Sequence, residues 1–332
     1  MKRKVFAALL LMGILNAPSV TAEGANLKAG SEAKADLMVP DVVLVGDASG
    51  EVLTAAYADP DYAGKAWQWA SVTKQIIAVM VMQEVEAGRL NLDDTLKARL
   101  PELAKRRYDK ITLRDLLMHT SGLPLPTAFP KEGEDHAAFC AKAPKRKPGE
   151  KFVYNNCDTA LAAAVLESVT GEPWLETAQT RIFDAAGMSG AGAFTAPNTD
   201  PNRITSGRPE KFGAAGAMYG LPEDLITFNA ALMRGDLLSK ASLETLWTGE
   251  PSLGYVALGV WSFSAGLEGC EGRVRLIERR GLIGDIKVRN FIAPDLGRSL
   301  VAMSEQPAFE FGEVWTASGP SYTMLSRGFC TH

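Results

Sequence analysis

The stretch Trp69-Ala70-Ser71-Val72-Thr73-Lys74 decides how this chain is read. The run behind it, Gln75-Ile76-Ile77-Ala78-Val79-Met80-Val81-Met82, is apolar on nearly every side. A helix apolar all round belongs in a core, not on a surface. Gly88 supplies the stop, because the left-handed conformation that closes helices costs glycine nothing. Ser71 suits the helix N-terminus, where a side-chain oxygen caps orphan amides. Ser71 and Lys74 are then one turn apart on one face. The positive end of a helix disfavours a cation, and burial acts in the same direction. A lysine held there can lose its proton near neutral pH and activate a neighbouring serine. The Ser71 N–H, at the helix start, is a candidate oxyanion donor. The letters alone are weak: Ser31-Glu32-Ala33-Lys34 repeats the spacing in a polar stretch. The plain alternative is an ordinary capping serine beside a solvated lysine, so context has to decide.

The chain opens with Lys2-Arg3-Lys4, an apolar run from Val5 to Leu15, and small residues at Val20-Thr21-Ala22. This is the pattern of a secretory signal peptide cut after Ala22, too short for a stable membrane anchor. No Cys lies near that junction to carry a lipid. The cut removes three cations and moves the formal net charge from −4 to −7. Residues 23–36 read as a mobile leader and residues 37–332 as the working domain. A secreted or periplasmic location follows. No basic patch with interleaved aromatics points to nucleic acid.

Four cysteines in an exported chain suggest two disulfides, with three possible connectivities. Proximity and layout favour Cys140–Cys157 and Cys270–Cys330. Closing a loop as short as the first contributes about 3 kcal/mol on the chain-entropy view. Neither a C-x-x-C nor a close Cys/His pair supports a metal, and His119, His136 and His332 lie far apart in sequence. No metal or cofactor is expected.

Residues 42–45 and 52–55 flank Asp47-Ala48-Ser49-Gly50 as a hairpin. Residues 111–118 read as a helix, with Thr112 as N-cap and Asp115 at N3 close to a capping box. His119-Thr120-Ser121-Gly122-Leu123-Pro124 stops it. Residues 125–150 are loop-like; 159–169, 172–188 and 222–234 read as helices. Residues 255–263, 273–278, 286–292 and 299–303 read as strands, and 320–327 as a terminal helix. Strands, then helices, then strands imply an α/β (α+β) fold: an antiparallel sheet flanked by helices and built from both chain ends, with an inserted helical lobe. The sheet lobe would take residues 37–70 and 235–332, the all-helical lobe 71–234. The cleft between them is the default site.

Several motifs then coincide. Ser71-Val72-Thr73-Lys74, Gly88-Arg89-Leu90-Asn91-Leu92-Asp93-Asp94, and the Leu-Leu-Met-His-Thr-Ser-Gly-Leu-Pro run ending at Pro124 resemble the class C β-lactamase-related serine hydrolases. That superfamily includes D-alanyl-D-alanine carboxypeptidases, D-aminopeptidases and esterases. Tyr154-Asn155-Asn156, the only Tyr-x-Asn in the chain, resembles its second motif. Ile182-Phe183 to Gly187-Met188, and Ala214-Ala215-Gly216 with Glu223-Asp224-Leu225, also fit. The likeness covers roughly residues 37–305.

The resemblance implies that Ser71 is acylated, that Lys74 assists proton abstraction and orients Tyr154, and that Tyr154 is general base and proton donor. A phenol of ordinary pKa needs a nearby cation for this work. Asn156 would bind the substrate amide or the lysine. The third motif departs from the family: neither Lys-Thr-Gly nor His-x-Gly occurs, and Arg279-Arg280-Gly281-Leu282 stands nearest. Gly281 would let substrate approach the strand, and Leu282 N–H would be the second oxyanion donor. Arg279 is either a fork for a substrate carboxylate or a solvated strand arginine. His119 is implied to be a structural turn residue. Trp67 and Trp69 line the cleft or fill the core, and Tyr219 rims the site.

Two functions remain. One is an exported serine hydrolase acting through an acyl-enzyme on an ester, D-amino-acid peptide or β-lactam-like amide, with ester or peptide favoured. The other is a catalytically impaired protein of the same fold that binds penicillin or peptidoglycan fragments. Small acyl molecules or peptides are the expected partners in the first case.

Overall fold

The computed structural model describes residues 39–103, 105 and 107–330. The expected signal peptide and leader lie outside these residues. In chain order the strands are β1 (Val42–Asp47), β2 (Val52–Tyr57), β3 (Ala66–Gln68), β4 (Gly192–Ala193), β5 (Arg203–Ile204), β6 (Met218–Gly220), β7 (Trp261–Gly266), β8 (Arg273–Ile283), β9 (Ile286–Ala293) and β10 (Arg298–Ser304). The helices are α1 (Thr73–Glu86), α2 (Leu96–Arg99), α3 (Leu113–Leu117), α4 (His136–Cys140), α5 (Asn156–Thr170), α6 (Trp174–Ala178), α7 (Asp184–Ala186), α8 (Pro222–Arg234), α9 (Lys240–Leu246) and α10 (Gly319–Cys330).

The main sheet runs β2-β1-β10-β9-β8-β7, antiparallel throughout, so strands from both chain ends meet at the β1–β10 pair. Its side chains alternate between two apolar layers, as the two-residue period of a strand requires. Val42, Leu44, Val288, Ile292, Val301 and Met303 join the layer that holds α1 and α8. Phe291, Ala293, Leu300 and Ala302 join the opposite layer, with Leu325 and Phe329 of α10. Being covered on both faces, β10 reads as a continuous apolar run from Leu300 to Met303, whereas β9 carries Lys287, Arg289 and Asn290 among its apolar residues.

Helix α1 behaves as its sequence demands. Ile76, Ile77, Val79 and Val81 are wholly buried, and burying each such side chain contributes about 1.5–3 kcal/mol. Its polar Gln75 is not stranded. Gln75 Oε1 accepts from Asn290 Nδ2 of β9 at 3.0 Å, and Asn290 in turn exchanges hydrogen bonds of 2.7 and 3.0 Å with Asn229 of α8. A satisfied polar contact of this kind fixes the helix on the sheet.

The Thr112/Asp115 capping box forms as expected, although the helix it starts has only five residues. Both disulfides take the pairing that proximity favours. Two differences concern strands. Residues 255–260 are not strand: Tyr255 (φ 64°) and Gly259 (φ 75°) turn the backbone, and β7 starts at Trp261. The central region, expected to be all helical, also supplies β4, β5 and β6, which with β3 form a second sheet in the order β4-β6-β3-β5.

Candidate active site

Three backbone features put Ser71 where it is. Trp69 N–H donates to Met218 O of β6 at 2.8 Å, and Thr73 Oγ1 donates to Ala70 O at 2.7 Å while accepting from Met218 N–H at 3.1 Å. Ala70 sits in the left-handed region, φ 48°. Strand β8 then lies directly against this turn: a Cβ on Gly281 would stand 2.3 Å from Trp69 O. Ser71 does not cap α1 as expected. It occupies a 3₁₀ turn, Ala70–Val72, just before the helix, and Val72 at the cap position makes no side-chain bond. That shift turns Ser71 Oγ sideways into the site.

Ser71 Oγ accepts from Tyr154 O–H at 2.6 Å and from Lys74 Nζ at 3.1 Å. Lys74 is 2% exposed and also donates to the Ala215 carbonyl. It forms no ion pair with an acid among the described residues. Burial pulls its pKa down to about 8; Tyr154 resists that change and Arg279 reinforces it. The Tyr154 phenol follows the opposite balance. Burial acts to raise it, but Lys74 and Arg279 outweigh burial and bring it from 10.0 down to about 8. Both cations lie near its ring, Lys74 Nζ at 5.0 Å and the Arg279 guanidinium at 5.5 Å from the centroid.

Arg279 is 2% exposed, so it is not a solvated strand arginine. Its Nε donates to Ser71 O at 2.8 Å and its Nη2 to Tyr154 Oη at 3.0 Å. The guanidinium also lies 5.3 Å from the Trp261 ring. Asn156 is the first residue of α5, and its Oδ1 is buried without a hydrogen-bond partner. Asn155 caps that helix by accepting from Cys157 N–H at 3.0 Å. The Cys140–Cys157 disulfide ties this first turn to α4. Leu282 follows Gly281 on β8 with an exposed side chain.

The structure thus gathers Lys74, Tyr154 and Arg279 about Ser71, from three separate segments of the chain. Trp67 and Trp69 are core residues with no exposed surface. Tyr219 stacks on Phe194 at 4.7 Å and under Arg203 at 4.2 Å, on the second sheet. Sequence reasoning gave no role to the Ala215 carbonyl, because a main-chain acceptor has no letter of its own. It also missed Asp158, whose partners Ser121 and His119 lie 37 and 39 residues upstream; only the turn His119-Thr120-Ser121 hinted at them.

Residues 35–260 match a family model described as Beta-lactamase. Penicillin-binding protein 4* of Bacillus subtilis (strain 168) is 24% identical over 220 residues, which is 55% of this chain and 48% of that protein. The chain spans about half the length of the first curated relatives it matches. Among solved structures, a D-stereospecific amidohydrolase from Streptomyces sp. aligns with TM-score 0.66 at 24% identity, over 87% of this chain and 93% of that one. The D-amino acid amidase of Ochrobactrum anthropi SV3 aligns with TM-score 0.69 at 19% identity, over 87% and 92%. At such identities the likeness shows the fold.

Proposed function

The chain belongs to the Beta-lactamase family, and from that premise we propose that it is an exported serine acyl hydrolase acting through an acyl-enzyme on an ester or on the amide of a D-amino acid. The carrying observation is the double contact of Ser71 Oγ, 2.6 Å from Tyr154 and 3.1 Å from Lys74. Ser71 Oγ attacks the carbonyl carbon as its proton passes to the Tyr154/Lys74 pair. Ser71 N–H and Leu282 N–H hold the resulting oxyanion. Collapse breaks the C–O or C–N bond, and the same proton goes to the leaving group. Water then attacks the acyl-enzyme, gives up a proton to Tyr154, and releases the acid with Ser71 restored. Asn156, whose Oδ1 lacks a protein partner, binds the substrate amide. Arg279 already spends two donors on Ser71 O and Tyr154 Oη, so its charge acts first on the base, and a substrate carboxylate would compete for that fork. In this reading residues 1–22 are the signal peptide, 23–36 a leader and 37–332 the hydrolase domain. The D-amino acid amidase among the structural neighbours favours amides of D-amino acids as the first substrates to try.

The test is a panel of p-nitrophenyl esters, D-amino acid amides, D-alanyl-D-alanine peptides and β-lactams, run on wild type and Ser71→Ala. Turnover that Ser71→Ala abolishes supports the enzyme; silence across the panel sinks it. The second reading is a penicillin- or peptidoglycan-binding protein. It draws on the departure at Arg279 and on relatives named as penicillin-binding proteins. Covalent labelling by a fluorescent penicillin with no release would favour it.

A further inference from the structure

Behind Tyr154 stand two buried ionisable residues that the reaction above does not use. His119 follows α3 with φ 56° and is 3% exposed. Its carbonyl accepts from Val153 N–H at 2.9 Å, and its Nδ1 accepts from Asn155 N–H at 3.4 Å. Its ring lies 4.7 Å from the Tyr154 ring, tilted by 50°. One residue therefore grips the chain on both sides of Tyr154 and touches the ring between. Asp158 of α5 sits beside it with no exposed surface. Its Oδ1 accepts from Ser121 Oγ at 2.5 Å, whereas Oδ2 lies 3.4 Å from His119 Nδ1 and has no hydrogen-bond partner.

Nδ1 accepts from Asn155 N–H with its one lone pair, so it carries no proton to give to Oδ2. A bare carboxylate oxygen facing a lone pair in a dry interior has nothing to stabilise it. A carboxyl O–H at that place shares the Nδ1 lone pair with Asn155 N–H, the two donor atoms each standing 3.4 Å away. We propose that His119 and Asp158 form a neutral pair, carboxyl O–H to imidazole Nδ1, that clamps residues 153–155 and positions the Tyr154 phenol between its two cations. The pair exchanges no proton with substrate.

The surrounding charges agree. Burial first, then Arg279 of β8 and Lys74 of α1, hold His119 well below its usual 6.5. Burial first, with Asp115 of α3, holds Asp158 well above its usual 3.8, against Ser121, Arg146 and Lys74. A charged imidazole would be a third cation in the same buried space.

The proposal rests on Tyr154 being the proton-transfer group, so its test has an arm that needs no substrate. In the full chain, the phenolate absorbance of each variant is compared with the same variant carrying Tyr154→Phe, which isolates this phenol. The variants are His119→Ala, His119→Gln, Asp158→Ala and Asp158→Asn. His119→Ala should lower kcat by up to about 100-fold, the cost of roughly 1 Å of misplacement at a reacting group, with KM little changed. It should also move the Tyr154 titration up from about 8. His119→Gln, which keeps an acceptor for Asn155 N–H, should recover most of both, and guards against loss of fold in the alanine variant. Asp158→Ala should behave like His119→Ala, whereas Asp158→Asn, the amide isostere of a carboxylic acid, should restore kcat and the pH profile. The pair is overturned if Asp158→Asn is as damaged as Asp158→Ala, since a working carboxylate is then needed. It is equally overturned if His119→Ala leaves the Tyr154 titration in place. If wild type hydrolyses nothing in the panel, the proposed function falls while the titration still decides the clamp.

Discussion

At the scale of single residues, the site is a problem of shared protons. Lys74 and Tyr154 each come down to about 8, and they titrate as a pair rather than as individuals. In the proposed reaction the active pair has lost one proton relative to its acid form. The sign follows: kcat/KM should rise as pH rises through about 8, and a pH–rate profile in the free-enzyme regime checks it. Ser71→Ala should lower kcat by on the order of 10⁴-fold or more, as removal of a serine nucleophile does. Tyr154→Phe should cost roughly 10²–10⁴-fold, the usual range for a positioned acid–base group. Arg279→Ala should move the acid limb upward, because one of the two cations that outweigh burial is gone. Its loss of kcat should be equal for neutral and carboxylate-bearing substrates; a KM effect confined to carboxylates would show that the fork serves substrate instead. Ser71, Lys74 and Tyr154 were legible in sequence because side-chain chemistry is written in letters. The fixed orientation of Arg279 and the Ala215 carbonyl were not, since both depend on what β8 and the turn before Gly216 pack against.

At the scale of elements, strand β8 and helix α5 bring the other residues of the candidate site to Ser71. Gly281→Ala would press a Cβ into Trp69 O, a main-chain atom at 2.3 Å with little room to yield. Overpacking of this kind costs about 1–3 kcal/mol, and here it also displaces the turn that leads into Ser71. A lower Tm together with lost activity is expected, and a variant that keeps both would show that β8 can slide away. Breaking Cys140–Cys157 should cost about 3 kcal/mol by the loop-closure argument, measured as a lower denaturation midpoint. The capping box at Thr112 and Asp115 was readable because it is local. The stretch at 255–260 misled because Val256, Ala257, Leu258 and Val260 are all buried; the apolar run mimics a strand, while Tyr255 and Gly259 break the ladder. Strands of two or three residues, as in β4, β5 and β6, are too short to show any period.

At the scale of the whole molecule, charge burial sets how stability responds to pH. Asp158 has a folded pKa raised above 3.8, so the folded state binds a proton that the unfolded chain gives up. Its contribution is fully present below about 3.8 and is lost as pH rises through the folded value. Asp158→Asn removes that dependence. The variant should therefore gain stability relative to wild type as pH increases from 4 toward 8, in paired denaturant titrations. A gain independent of pH would mean that Asp158 is ionised in the native state. The two-ended sheet was foreseeable at this scale from the order of strand-rich and helix-rich segments alone.

The residues joined by hydrogen bonds in one network about Ser71 come from positions 71, 74, 154, 215 and 279. No contiguous fragment shorter than that span contains them all, and the two ends of the span meet only after the late strands have closed on the early turn. Reactivity toward an acylating probe is then a census of finished molecules: a chain still emerging, or one whose final strands have come loose, carries the serine but not the means to use it.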